Sequence, residues 1–125
     1  MIKSLASFAK INLFLYVTGK RPDGFHDLFS LMTKIGLADV MTFSFQDSGV
    51  EVTCNHPLVP EDETNLAHRA ATLFFQSCNN PKKKISVPGV TIDIQKNIPV
   101  GGGLGGGSSN AATVLSVLNG LCHNR

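Results

Sequence analysis

Residues 99–110 read PVGGGLGGGSSN and hold six glycines in the seven positions from Gly101 to Gly107. Glycine has no Cβ, so the backbone here can take positive φ values and come close to a ligand. The first N–H groups of a helix have no partner within it and carry about half a positive charge. Because this stretch leads into a predicted helix, it is typical of a loop that binds an anion, most naturally a phosphate.

Three other interpretations of the glycine stretch fit less well. A flexible linker usually separates two domains and carries Ser or Pro throughout. The dinucleotide-binding fingerprint needs an acidic residue about 20 positions further on, and no Asp or Glu follows Asp93. The P-loop of ATPases needs a Lys where this sequence has Ser108.

Regular elements flank the loop on both sides. Residues 90–95 alternate apolar and polar and predict a strand, and Ser108–Leu121 carries apolar residues at helical spacing. A second helix is predicted over Asn65–Ser77, capped by Thr64 or Asn65. The inner stripe predicted for that helix consists of Leu66, Ala70, Leu73, Phe74 and Ser77. A polar loop is expected at Asn79–Lys84.

Strands dominate the N-terminal half. Phe8–Val17 alternates and predicts a strand whose odd positions (Ile11, Leu13, Leu15, Val17) form one apolar face. Lys10 and Asn12 then lie on the other face, about 7 Å apart. Residues 25–37 fit a short helix or an irregular strand, of which we favour the strand, and Val40–Phe45 with Val50–Cys54 predicts a hairpin. Strands outnumber helices without strict βαβ alternation, so the predicted fold class is α+β.

Composition limits the classes of protein that fit. The 125 residues, of 13.4 kDa, suffice for one domain with a packed core, since 42% are hydrophobic. A net charge of +2 does not favour a protein that wraps nucleic acid. Three cysteines without a C-x-x-C pair favour a reduced, cytoplasmic protein over a disulfide framework or a cysteine zinc site. Lys10 and Asn12 interrupt the apolar N-terminus, so neither a signal peptide nor a membrane span is predicted.

The stretch PVGGGLGGGSSNAA at Pro99–Ala112 resembles the phosphate loop of the GHMP small-molecule kinases. AKINLFL at residues 9–15, RPDGFH at residues 21–26 and Asn65-Leu66 before a helix are similar to the same family. The doubled glycine form is most similar to members that act in non-mevalonate isoprenoid precursor biosynthesis on a substrate with a cytidine diphosphate group. The resemblance implies that residues 1–125 form the N-terminal ATP- and substrate-binding domain, with a fold like domain 2 of ribosomal protein S5.

The resemblance also implies the site residues. Lys10 would lie by the transferring phosphoryl group and offset its developing negative charge. Phe25 and His26 would hold the cytidine, with Asn12 orienting the substrate or Lys10; the family usually has Tyr where this chain has Phe25, which keeps stacking but loses a hydroxyl bond. The implied ATP-binding residues are Pro99, Val100, Gly101, Gly102, Gly103, Leu104, Gly105, Gly106, Gly107, Ser108 and Ser109, with Asn65, Leu66 and Lys96 on the adenine side.

ATP and Mg²⁺ are the implied cofactors. No cluster of protein ligands for a metal is predicted, since His56, His68 and His123 lack ligand spacing. Ser108 or Ser109 is instead the candidate Mg²⁺ ligand. The family's general base is an aspartate beyond the helix that is predicted to end near Leu121, and every acidic residue of this chain lies at or before Asp93.

Because the chain has no aspartate at the position of the family's general base, we expect it to be an N-terminal portion of a kinase, without the C-terminal domain. Such a portion should have little or no turnover alone. Surface that is normally covered would then be exposed, so self-association is expected. Two alternatives remain open: a GHMP kinase for another alcohol, such as mevalonate or homoserine, or a non-catalytic nucleotide-binding module. An RNA-binding protein is least favoured, because the charge is small and only nine residues are aromatic.

Overall fold

The computed structural model describes residues 2–78 and 89–123. They form β1 (Ile2–Lys20), β2 (His26–Gln46), β3 (Val50–Cys54), α1 (Leu66–Cys78), β4 (Gly89–Gln95) and α2 (Gly106–His123). The four strands make one sheet in the order β1-β2-β4-β3. A mixed sheet with two helices confirms the α+β prediction. The polar loop predicted at Asn79–Lys84 lies outside the described residues.

The core forms where β4 runs through the sheet. Val90, Ile92 and Ile94 alternate along β4 and are fully buried, which confirms the strand predicted over residues 90–95. Ile92 pairs with Phe43 and Ile94 with Met41, both buried on β2. The two helices complete the core with small and branched side chains: Ala67, Ala70, Ala71, Val114, Val117 and Leu118.

The predicted hairpin between Val40–Phe45 and Val50–Cys54 is wrong, although both strands exist. β4 lies between them, antiparallel to β2 and parallel to β3. The cause is burial, because the most apolar strand needs neighbours on both edges. Gly89 makes this possible, since a Cβ there would lie 2.2 Å from the Ser48 carbonyl carbon. The N–H of Val90 then donates to the carbonyl of Gly49 at 2.9 Å.

Helix α1 forms where it was predicted but buries a different face. Ala67, Ala70 and Ala71 are its buried residues, whereas Leu66 and Leu73 of the predicted stripe are 44% and 60% exposed. The small alanine side chains let α1 approach α2 and the sheet closely, so the helix turns them inward. Of the predicted stripe, Ala70 is buried, Phe74 packs partly buried against the core and Ser77 is exposed.

Strands β1 and β2 extend beyond the core as a two-stranded ribbon, residues 11–20 and 26–37. The strand favoured for residues 25–37 is confirmed from His26 onward. The odd-numbered apolar residues of the face predicted for β1 do not pack on the core, because Leu13, Leu15 and Val17 are 59%, 50% and 62% exposed. Register shifts between Phe8 and Lys10, between Asn12 and Phe14, and between Val17 and Gly19 break the alternation, as β-bulges do.

Within the residues that the structure describes, neither helix is long and apolar enough to span a membrane.

Candidate nucleotide site

The glycine loop joins β4 to α2 and forms the N-terminus of that helix. Helix α2 begins at Gly106, earlier than the predicted Ser108, and its first helical bond runs from the N–H of Ser109 to the carbonyl of Gly105 at 2.9 Å. Gly103 and Gly105 have φ values of 73° and 68°, which side-chain-bearing residues rarely adopt. The amides that open α2 therefore have no partner within the helix and are available to an anion.

A cleft of about 330 Å³ opens along this loop. Its volume falls in the range of small-molecule sites, which are mostly apolar with a few polar groups. Val59, Pro60 and Leu66 form its apolar wall, from the segment that precedes α1 and from the first residue of α1. The remaining lining residues are Thr64, Asn65, Lys96, Pro99, Val100, Gly101, Gly102, Gly103, Leu104, Gly105, Gly106, Gly107 and Asn110.

Lys10 lies directly against the glycine loop. Its backbone N–H donates to the carbonyl of Leu104 at 2.9 Å. A Cβ on Gly105 would lie 3.1 Å from both Cγ and Cε of Lys10, so the lysine stem runs along the backbone of the loop. The structure thus brings together the two sequence features, strand β1 and the glycine loop, that carried the resemblance.

Asn65 lines the cleft, but its polar atoms serve the fold. Its Oδ1 accepts from the N–H of Ala67 at 2.8 Å, the geometry of a helix cap, and its Nδ2 donates to the carbonyl of Pro60 at 2.8 Å. Asn65 therefore holds the apolar wall in place with both ends of its amide. Leu66 remains partly exposed at the cleft, 3.4 Å from where a Cβ on Gly107 would lie.

Lys96, which the resemblance implies on the adenine side, has its ammonium at Gly106, the first residue of α2, and forms a buried ion pair with Asp39. The distance from Lys96 Nζ to Asp39 Oδ2 is 2.6 Å, and the two side chains are 6% and 0% exposed. Burial alone would raise the pKa of Asp39, but hydrogen bonds from the Ile98 N–H, Lys96, the Asn97 N–H and Asn110 outweigh it and lower that pKa below its usual 3.8.

Sequence reasoning missed Asp39 and two residues that extend this network. Asn110 donates from Nδ2 to Asp39 Oδ2 at 3.1 Å and to Ser7 Oγ at 3.0 Å, and Ser7 is itself buried. One signal was available in the sequence, since Asp39 interrupts an otherwise apolar run from Leu37 to Met41. A carboxylate at such a position is normally paired, but its partners lie 57 to 71 residues away, beyond the reach of local patterns.

The two serines that follow the glycines differ in their surroundings. The hydroxyl of Ser109 shares a hydrogen bond of 2.9 Å with that of Ser7, toward β1. Ser108 is exposed in the first turn of α2. Residues 2–78 and 89–123 contain no group of three or more His, Cys, Asp or Glu side chains that could hold a metal ion.

The residues expected to bind the substrate lie away from the cleft. Asn12 is exposed on β1 and accepts from the hydroxyl of Ser30 at 3.1 Å. Phe25, 71% exposed, and His26 lie at the far end of the ribbon, where His26 pairs with Lys20. The ten residue steps from Lys10 to Lys20 correspond to about 30 Å of strand, so a ligand that touches both regions must lie along the ribbon.

Comparison with known proteins agrees with this geometry. The family model described as "GHMP kinases N terminal domain" matches residues 65–125. A protein of Microcystis aeruginosa named 4-diphosphocytidyl-2-C-methyl-D-erythritol kinase is 47% identical over 115 residues, which is 90% of this chain and 36% of that protein. A protein of Clostridium botulinum with the same name is 44% identical over 115 residues, 92% of this chain and 39% of its own length.

A solved structure supports the same relationship. The crystal structure of a 4-(cytidine 5'-diphospho)-2C-methyl-D-erythritol kinase superposes with a TM-score of 0.75 at 39% identity, covering 95% of this chain and 40% of that one. The chain thus spans about two fifths of the length of the relatives that it matches, from their N-terminal part. Together with the strand, glycine loop and helix described above, these likenesses show that the chain belongs to the GHMP kinase family and has the fold of its N-terminal domain.

Proposed function

We propose that this chain is the ATP-binding, N-terminal part of a kinase that phosphorylates the 2-hydroxyl of 4-diphosphocytidyl-2-C-methyl-D-erythritol. The observation that carries the proposal is the contact of Lys10 with the glycine loop at the N-terminus of α2. Relatives named for this substrate are 44–47% identical over nine tenths of the chain.

The loop fits the polyphosphate of ATP by charge and by shape. The free amides at the start of α2 and the positive end of the helix dipole favour a negative group. Positive φ values at Gly101, Gly103 and Gly105 curve the backbone so that successive amides can line a concave surface. The apolar wall of Val59, Pro60 and Leu66 offers a surface for the adenine ring, as nucleotide sites require.

Lys10 is proposed to act on the phosphoryl group in transfer. Its stem follows Gly105, so its ammonium can reach a phosphate held by the loop. A positive charge there offsets the negative charge that builds up on the equatorial oxygens in transfer. ATP, when bound, supplies the phosphoryl group, and this chain supplies the cradle and one cation.

The ribbon is proposed to carry the substrate. A long substrate with its reacting hydroxyl at Lys10 and its cytidine at Phe25 and His26 would follow the ribbon, with Asn12 between the two ends. The exposed ring of Phe25 is free of core packing and can stack on a base. His26 can bond the polar edge of that base from the adjacent position.

Mg²⁺ fits this site as a partner of the phosphates. The described residues offer no carboxylate cluster of their own, and Mg²⁺ is commonly held by substrate phosphates with few protein ligands. The exposed hydroxyl of Ser108 at the start of α2 is the protein donor that suits it, whereas Ser109 is engaged by Ser7.

Ligand-dependent stabilisation tests the nucleotide part of the proposal. Titration of the chain with MgATP, followed by calorimetry and melting temperature, should give saturable binding; a ligand at 100 times its Kd stabilises the fold by about 2.7 kcal/mol. CMP, tested separately, should bind at the ribbon and be weakened by Phe25→Ala. Absence of MgATP binding would refute the proposal.

A second assay tests the reaction. Transfer of labelled γ-phosphate to 4-diphosphocytidyl-2-C-methyl-D-erythritol, compared with mevalonate and homoserine, identifies the alcohol. Preference for mevalonate or homoserine would contradict the proposed substrate. MgATP binding with no transfer to any of the three, by a protein as long as the relatives, would favour a non-catalytic nucleotide-binding module.

A further inference from the structure

We propose that Asp39 is a positioning residue for nucleotide binding, which holds Lys96 and the first turn of α2 in the arrangement that receives the polyphosphate. The proposal rests on the proposed function only in taking that anion to be the polyphosphate of a nucleotide. Asp39 itself does not line the cleft, whereas Lys96 and Asn110 do.

The carboxylate of Asp39 accepts hydrogen bonds from two segments that flank the glycine loop, residues 96–98 before it and Asn110 in α2 after it. Its Oδ1 accepts from the N–H of Asn97 at 2.7 Å and from that of Ile98 at 2.8 Å. Its Oδ2 accepts from Lys96 Nζ at 2.6 Å and from Asn110 Nδ2 at 3.1 Å. With four donors on a fully buried carboxylate, the segment that leaves β4 and the helix that follows the loop are held at one point.

The ion pair of Lys96 and Asp39 is oriented to suit an anion site, with the ammonium on the side of the glycine loop. The Lys96 ammonium lies 3.1 Å from the position that a Cβ on Gly106 would occupy, so it is next to the first residue of α2. A buried cation at the positive end of a helix dipole is unfavourable unless a carboxylate offsets it. The carboxylate of Asp39 provides the offsetting negative charge and does not line the cleft. The Lys96 ammonium is therefore the member of the pair that faces the loop.

Asn110 links Asp39 to α2, the helix in which it lies. It accepts from Lys96 Nζ at 3.3 Å while donating to Asp39 and to Ser7. Ser7 in turn bonds the hydroxyl of Ser109, so β1 is included in the same network. Removal of the carboxylate leaves the Lys96 ammonium buried without its counter-charge, and we expect it and the first turn of α2 to shift together.

The test compares variants that remove one member at a time. The probes are MgATP and inorganic tripolyphosphate, because the second reports on the loop and Lys96 without the adenine wall. Asp39→Asn should weaken both by tenfold or more, and Lys96→Met likewise. In the Lys96→Met background the further effect of Asp39→Asn should shrink below threefold, because the two residues act as one unit.

Asp93→Asn is the matched control. Asp93 lies partly exposed on β4, accepts from Thr53 Oγ1 at 2.7 Å and does not line the cleft, so its substitution removes a hydrogen-bonded carboxylate of the same sheet that has no link to the loop. Its affinity for both probes should stay within twofold of the unchanged chain. Equal affinities for the unchanged chain and Asp39→Asn, or fully additive effects of Asp39→Asn and Lys96→Met, would overturn the proposal.

Two further measurements keep the test decisive. If Asp39→Asn does not fold, Asn110→Ala replaces it: this variant keeps the ion pair but cuts its link to α2, and unchanged affinity for tripolyphosphate would overturn the proposal. If the unchanged chain binds neither probe, the proposed function fails. The positioning is then judged from amide hydrogen exchange of residues 109–112, the first amides of α2 that have helical partners; Asp39→Asn should accelerate this exchange tenfold or more and Asp93→Asn should not, and equal rates would refute the positioning.

Discussion

Gly105 shows what a single residue contributes to the loop. It combines a φ of 68° with a close approach to the Lys10 side chain, so both its conformation and its missing Cβ are used. Gly105→Ala should lower the free energy of unfolding by about 1–2 kcal/mol, the cost of left-handed backbone for a residue with a Cβ, and should weaken MgATP binding. Urea denaturation and calorimetry measure the two effects.

Gly120→Ala is the control for that substitution. Gly120 lies inside α2 with nothing within 4 Å of an added Cβ. Alanine there should stabilise the chain by about 0.5–1 kcal/mol, because glycine is unfavourable within a helix. Equal stability of Gly105→Ala and the unchanged chain would contradict the strained conformation assigned to the loop.

A single residue, Asp39, should also make the free energy of unfolding depend on pH. Its pKa is lowered below 3.8 in the folded chain, so the charged form favours folding above that value. This contribution is lost as the pH falls through 3.8 toward the folded pKa. Between about pH 5 and pH 3, the free energy of unfolding should therefore drop more steeply for the unchanged chain than for Asp39→Asn.

Denaturation at several pH values checks this difference. Asp62 also has a lowered pKa, because the hydroxyl and the N–H of Thr64 donate to it, but that shift is shared by both proteins and cancels in the comparison. Parallel curves for the two proteins over this range would show that Asp39 is not a stabilising anion in the folded chain.

At the scale of elements, the cap of α1 ties secondary structure to the wall of the cleft. Asn65→Ala removes the bond to the Ala67 N–H and the bond to the Pro60 carbonyl. We expect a loss of about 1–2 kcal/mol, toward the upper end for a helix cap. Asn119→Ala, at an exposed position within α2, is the matched control and should be neutral or slightly stabilising, since Ala favours helix.

Chemical denaturation of both variants distinguishes a cap from a generic asparagine effect. Equal changes in Asn65→Ala and Asn119→Ala would mean that the cap geometry carries no stability. A further expectation concerns the cleft: Asn65→Ala should weaken MgATP more than Asn119→Ala, since only the first variant releases the Pro60 wall.

At the scale of the whole molecule, the β1–β2 ribbon exposes apolar surface on both faces. Tyr16, Leu28, Phe29 and Met32 are each 58% exposed or more. Contiguous apolar surface of this kind drives association. We expect the 125-residue chain to self-associate as its concentration rises, and Leu28→Lys with Met32→Lys to reduce this association.

Sedimentation velocity over a concentration series measures this association. Leu58→Lys is the control, because Leu58 is 76% exposed but lies between β3 and α1, away from the ribbon. It should leave the association unchanged. A chain that remains monomeric throughout, or that responds equally to both sets of substitutions, would exclude the ribbon as the contact surface.

Local pattern alone was enough for several features of this protein. Alternation identified β4, helical spacing identified α1 and α2, and the glycine run identified a loop with positive φ values at the start of α2, because each depends on residues within one or two turns of chain. Comparison with related proteins and a solved structure confirms the family resemblance, which rested on the motifs of residues 9–26 and 99–112. The roles of Lys10, Asn12, Phe25 and His26 remain predictions.

Tertiary structure decided the features that depend on distant partners. The place of β4 between β2 and β3, the alanine face of α1 and the exposed ribbon all follow from which surfaces meet in the core, and periodicity does not specify that. The network of Asp39, Lys96 and Asn110 joins positions up to 71 residues apart. Only folding brings these charges together, and only burial makes their pairing necessary.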